Sequence, residues 1–203
     1  MQNKHLKITV LGIGGGAQNI VDYLYLNNKF KNITFMLINA DERVLEQAKT
    51  PDKYILSGKY FSDDGKSLGC GGDSEIGEEY AYKHLDKLQE ITKDSDLVFL
   101  ISTFGAGCGT GATPVIAKIL KETNIKTIAI ITKPFRWEGK KRTKQAQNGL
   151  EKLRQYVEEI IIIDNQALTK NFPPYTSLSK SFEYVNEKIA EEFYKNLFNS
   201  ISY

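Results

Sequence analysis

Two kinds of apolar pattern alternate along the chain. Short runs rich in β-branched residues are almost continuously apolar, and the stretches between them return an apolar residue every three or four positions. The runs predict strands over residues 7–11, 34–39, 97–103, 127–132 and 160–163, with a short edge strand over 53–56. The periodic stretches predict a helix over 16–26, a short helix from Asp41, and a helix from Ser74 to about Thr92 with Ser74 as its N-cap. They predict three more: one after the strand 97–103 that reaches Thr123, one over 142–157, and a last one over 179–201. Strands separated by helices imply a parallel α/β sheet, and strands with no polar face imply helices on both sides of it. The fold class is therefore α/β, a Rossmann-like doubly wound sheet ending in a long helix. In that last helix Val185, Ile189, Phe193 and Leu197 form one stripe for the sheet, while Tyr184, Tyr194, Phe198, Ile201 and Tyr203 are also large and several of them must point elsewhere.

Composition narrows this picture. The 203 residues suit a single domain, 1–203, with a core over 1–170 and the final helix over 178–203. Between them, the NFPPYTS segment carries two prolines that end one element before the next begins. With 27 basic against 25 acidic residues, nothing in the charge calls for nucleic acid or an anionic membrane as partner. No apolar run approaches the ~18 residues of a membrane span, and the polar start is no secretory signal. Two cysteines make no disulfide framework, so the reading is a soluble cytoplasmic protein with reduced thiols. His5 and His84 are far apart, suggest no metal site, and are both assigned to solvated faces.

The chemistry sits in two glycine clusters. The first, GIGGGAQN over residues 12–19, follows a strand and opens a helix. Glycine lets the backbone approach a phosphate there, and a helix N-terminus favours negative charge. Alone this is a weak signal: Gly12, Gly14 and Ala17 also fit the dinucleotide fingerprint, and a tight turn without ligand is a third reading. The second cluster, GAGCGTG over 105–111, again joins a strand to a helix. In a sheet of order 3-2-1-4-5-6 the first and fourth strands are neighbours at the switch point, where ligands bind. Two glycine loops converging there read as a cradle of amide donors around a polyphosphate.

The second cluster resembles the phosphate loop of the tubulin/FtsZ family, GGGTGTG. Five further stretches are similar in the same order: VLGIGGGAQNIV, LINADERVL, LGCGGDSEIG, ITKPFRWEGKKR and IIIIDNQAL. The resemblance spans about residues 7–168 and implies the GTPase-domain fold of that family, GTP or GDP as ligand, and Mg2+ carried with the nucleotide. By the same resemblance Gly15, Gly16, Ala17, Gln18 and Asn19 would contact phosphate and base. Gly105, Gly107, Cys108, Gly109, Thr110 and Gly111 would form the second loop, with 107–109 on the α- and β-phosphates. Cys70 and Gly71 would lie in the loop that senses the γ-phosphate. Glu138 would accept hydrogen bonds from the ribose, Arg142 would sit near the phosphates, Phe182 would pack on the guanine face, and Asn186 would read its edge. Spacing alone offers plainer readings: Glu138 and Arg142 as an exposed i, i+4 pair, residues 140–142 as a solvated charge run, and Phe182 as the first apolar position of its helix.

Ala106, Cys108 and Ala40 depart from the family pattern, the last two by losing a hydroxyl near the phosphates or hydrated magnesium. No stretch matches the family's N-L-D-F-A-D loop, which completes a neighbour's hydrolytic site, and these 203 residues, without the family's second domain, read as either an excised domain or a naturally short protein. The resemblance thus implies a GTP-binding protein of the division or cytoskeletal type, with weak or absent hydrolysis by this chain alone and no assigned catalytic residue. The alternatives are a non-hydrolysing partner or cap of a full-length filament and, remotely, an NAD-binding oxidoreductase domain. The second apolar surface of the final helix predicts self-association or a filament partner.

Overall fold

The computed structural model describes residues 6–173 and 175–201, so the expectations for His5 and Tyr203 lie outside the described residues. Six strands form one sheet: β1 (Ile8–Ile13), β2 (Ile33–Asn39), β3 (Asp52–Ile55), β4 (Leu97–Thr103), β5 (Lys126–Lys133) and β6 (Glu159–Asp164). All are parallel, in the order β3-β2-β1-β4-β5-β6. The helices are α1 (Gly15–Asn27), α2 (Glu42–Glu46), α3 (Ser74–Lys83), α4 (Leu85–Thr92), α5 (Gly107–Glu122), α6 (Lys140–Leu153), α7 (Asn165–Leu168) and α8 (Leu178–Ile201).

Side-chain alternation along each strand feeds two cores. From β4, Val98 and Leu100 pack with α3, α4, α5 and α6, whereas Leu97, Phe99 and Ile101 pack with α1, α2 and α8. The predicted stripe of α8 is buried: Val185, Ile189, Phe193 and Leu197 are each at most 3 % exposed. Phe193 sets its ring edge-on to Phe99 at 4.9 Å between centroids. On its second apolar surface Phe198 meets Phe30 and Tyr184 meets Phe172, yet both rings stay exposed, at 51 % and 41 %.

The structure corrects three local expectations. Asp73, not Ser74, caps α3, its carboxylate accepting from the Glu75 amide at 2.9 Å. The predicted continuous helix 74–92 breaks at His84, whose ring is locked by Tyr54 Oη at 2.6 Å and the Ser57 carbonyl at 3.0 Å. His84 is therefore half-buried and bonded on both ring nitrogens rather than placed on a solvated face. Finally, α6 ends at Leu153 and not at residue 157, because the chain must turn to lay β6 beside β5, and Glu158 ties to the Thr127 amide at 2.7 Å.

Candidate functional site

β1 and β4 are neighbours, and the two glycine loops leave their C-terminal ends side by side. Gly14, at φ 83° and ψ 164°, occupies a region essentially reserved for glycine. A Cβ at Gly14 would lie 2.7 Å from the Gly109 nitrogen, so the loops are in backbone contact. A Cβ at Gly16 would lie 2.9 Å from Thr103 Cβ. The helices that start here, α1 and α5, have no side-chain cap and no acidic residue in the first turn. By contrast α2, α3 and α7 are capped by Asp41, Asp73 and Asp164. Two helix N-termini with uncompensated amides and aligned dipoles thus converge, the arrangement that attracts an anion.

Beside them lies a groove of about 420 Å³. Its walls include Gly15, Gly16 and Asn19 of α1, Phe104 and Ala106 of the second loop, Thr132 at the end of β5 and Pro134 just after it, Glu138 and Arg142, and Phe182 and Asn186 of α8. The structure therefore gathers Gly15, Gly16, Asn19, Glu138, Arg142, Phe182 and Asn186 from the expected set. Ala17 and Gln18 are buried below the loop.

The second loop is used differently from the simple cradle. Thr110 accepts a hydrogen bond from the Gly105 amide at 2.8 Å, which closes the turn on itself. Gly107 and Gly111 are small because α3 packs against them: an added Cβ would lie 2.8 Å from the Asp73 carbonyl oxygen at Gly107 and 2.5 Å from the Glu78 nitrogen at Gly111. An added Cβ at Gly109 would lie 2.7 Å from Ser102 Oγ of β4. Half of this glycine signal is thus helix packing rather than ligand contact. Cys70 and Gly71 border a separate surface depression with Tyr60 and Lys141, on the α3 side of α5.

Glu138 and Arg142 do form the i, i+4 pair, at 2.6 Å, and both still line the groove. The second Glu138 oxygen accepts from the Phe135 amide at 2.8 Å, which fixes the 3-10 turn Arg136–Glu138 in place. Phe182 is 40 % exposed and stands edge-on to both Phe135 and Trp137.

Residues 7–173 match the sequence pattern described as "Tubulin/FtsZ family, GTPase domain". The chain belongs to the tubulin/FtsZ family. It is similar to the cell division protein FtsZ of Buchnera aphidicola subsp. Baizongia pistaciae, at 41 % identity over 91 % of this chain and 46 % of that protein. To FtsZ of Aquifex aeolicus it is 36 % identical, over 91 % of this chain and 49 % of the relative. The solved structure "FtsZ dimer, empty" from M. jannaschii superposes with a TM-score of 0.83 at 36 % identity, over 93 % of this chain and 53 % of that one. The chain thus spans about half the length of the curated relatives it matches.

Within this tubulin/FtsZ domain two site residues escaped the sequence reading. Asn165 lines the groove, is only 5 % exposed, and its side-chain carbonyl has no hydrogen-bond partner among the described residues. It opens α7, held by the Asp164 cap and the 2.9 Å Lys133–Asp164 ion pair. Its signal was the IIIIDNQAL stretch, from which no residue was singled out. Gln145 of α6 gave no motif signal at all. Its amide nitrogen donates to the Gly72 and Gly105 carbonyls at 3.1 Å each, and its oxygen accepts from the Ser74 amide at 3.1 Å. One side chain thereby ties the second glycine loop, the loop that holds Cys70 to Asp73, and the start of α3. Beyond Asn19 and Asn186 the groove continues into a depression bordered by Tyr23, Glu183 and Glu187.

Proposed function

We propose that this chain binds a guanine nucleotide in the groove, GTP or GDP, as a division- or cytoskeleton-type member of its family. The observation that carries the reading is the contact of Gly14 with Gly109, which aims two uncapped helix N-termini at one groove. The residues present suit the ligand. The amides of Gly15, Gly16 and the first turn of α5 would hold phosphates. Glu138 retains acceptor capacity for ribose hydroxyls although each oxygen already takes one bond. Phe182, backed by Trp137, offers a ring face for the base. The orphan carbonyl of Asn165, the amides of Asn19 and Asn186, and the carboxylates of Glu183 and Glu187 suit the N1–H and C2 amine of guanine, whereas adenine has an acceptor at N1 and no amine at C2. Among the described residues no three His, Cys, Asp or Glu side chains converge on a metal position, so Mg2+ would be held chiefly by phosphate oxygens and water.

Titration calorimetry tests this. GTP and GDP should bind well ahead of ATP and NAD, and Asn186→Leu should lose that preference, because a site built for hydrogen bonds rejects ligands that leave it unpaired. Equal affinity for GTP and ATP would remove the assignment. The NAD reading rests on Gly12, Gly14 and Ala17 alone, and it leaves the second loop unexplained.

The FtsZ relatives are cell division proteins, which supports a role in division, and the exposed Tyr184, Phe198 and Ile201 of α8 are the surface we assign to a second copy or a filament partner. Glu138, the carboxylate that lines the groove, is engaged by Arg142. This chain alone should therefore hydrolyse GTP slowly.

A further inference from the structure

Cys70 and Cys108 are the only cysteines of the chain, and the fold brings them together across the α3–α5 contact. Cys70 closes the loop before α3, where the Asp73 amide donates to its carbonyl at 2.9 Å. Cys108 lies in the first turn of α5, beside Gly107, where an added Cβ would come within 2.6 Å of Cys70 Cβ. Both cysteines are buried, at 5 % and 8 % exposure, and neither is in a disulfide. Their surroundings differ. Cys70 borders an open depression of about 430 Å³ together with Lys141, whereas Cys108 does not line it.

We propose that Cys70 and Cys108 are a peroxide-oxidisable dithiol that closes into an intramolecular disulfide, joining the 69–73 loop to the first turn of α5 and so controlling the groove. Cys70 is the attacking sulfur. A hydrogen bond from Cys108 favours its thiolate, against the opposing effects of burial and of Asp73, while the same bond and burial keep the proton on Cys108. The Cys70 thiolate attacks hydrogen peroxide, the O–O bond breaks, and Cys70 becomes a sulfenic acid with release of hydroxide. Cys108 sulfur then attacks Cys70 sulfur, the S–O bond breaks, and the departing hydroxide takes the Cys108 proton as water. In sum two thiols and one peroxide give one disulfide and two waters.

An S–S bond of ~2 Å ties the two segments together. Gly107 and Gly111 pack the first turn of α5 closely against α3, so the 69–73 loop is the side that adjusts, next to the turn whose cap, Ala106, lines the groove. A loss of ten-fold or more in GDP affinity is expected on oxidation. This consequence rests on the nucleotide reading above; the disulfide does not.

The experiment treats the full chain with stoichiometric hydrogen peroxide, maps peptides by mass spectrometry without reduction, and measures GDP affinity before oxidation, after it, and after dithiothreitol. A Cys70–Cys108 crosslinked peptide, with affinity lost and restored, supports the proposal. Cys70→Ser and Cys108→Ser should each show the same affinity with and without peroxide, whatever that affinity is. Absence of the crosslinked peptide, or a crosslinked form with unchanged affinity, overturns it. If the reduced protein binds no GDP while the crosslink forms, the nucleotide reading fails and the disulfide stands.

Discussion

Replacing Gly14 by alanine separates steric contact from backbone strain, because a control exists in the same chain. Gly14 sits at φ 83° and ψ 164°, and Gly139 at φ 100° and ψ 160°, so alanine is strained alike at both. They differ in surroundings: a Cβ at Gly14 meets the Gly109 nitrogen at 2.7 Å and its Cα at 3.0 Å, whereas a Cβ at Gly139 meets nothing within 4 Å. The strain costs about 1–3 kcal/mol at either site. At Gly14 the neighbour is backbone, which cannot swing aside as a side chain would, and overpacking adds about 1–3 kcal/mol. Gly14→Ala should thus be destabilised by about 2–6 kcal/mol and Gly139→Ala by about 1–3 kcal/mol. At roughly 2–4 °C per kcal/mol for a chain of this size, the Gly14 variant should melt several degrees below the Gly139 variant. Urea unfolding gives the free energies, and calorimetry with GDP gives the functional side. Gly14→Ala should lose nucleotide affinity as well, because the added methyl pushes the two loops apart. Equal destabilisation of the two variants, or full GDP affinity in Gly14→Ala, would refute the claim that direct contact between the loops builds the site.

Three further outcomes are expected. Asn165→Leu removes a buried oxygen that has no partner, so thermal stability should hold or rise while GDP affinity falls about 10–100-fold, a loss of ~1.5–3 kcal/mol for a hydrogen-bonding group; calorimetry and a melt on one sample check both. Gln145→Leu removes three hydrogen bonds of 3.1 Å and should cost about 1–3 kcal/mol in urea unfolding, with faster proteolysis of the 69–73 loop. Phosphate release from GTP by this chain, followed with sedimentation across a concentration series, should stay slow without a cooperative rise, and brisk turnover would reveal a catalytic group not recognised in the groove.

The sequence carried the architecture because its periods are local. Runs such as LVFLIST can only be a strand covered on both faces, and Val185, Ile189, Phe193 and Leu197 can face one sheet only as a helix. With strands and helices alternating, handedness and the switch point placed both glycine loops at one end of the sheet, and the contact of Gly14 with Gly109 is the result.

Tertiary structure decided what each residue does there. Periodicity could not see the break at His84, because it arises from bonds to Tyr54 and Ser57 some thirty residues away. Four-residue α7 is a single turn with no period to detect, so Asn165 passed unnoticed although its motif was in view. Glycine composition could not distinguish Gly14, kept by its backbone angles and the Gly109 backbone, from Gly107 and Gly111, kept by the approach of α3. A missing side chain looks the same in the sequence whether a ligand or another helix fills its space. Only the packed chain shows which neighbour is there.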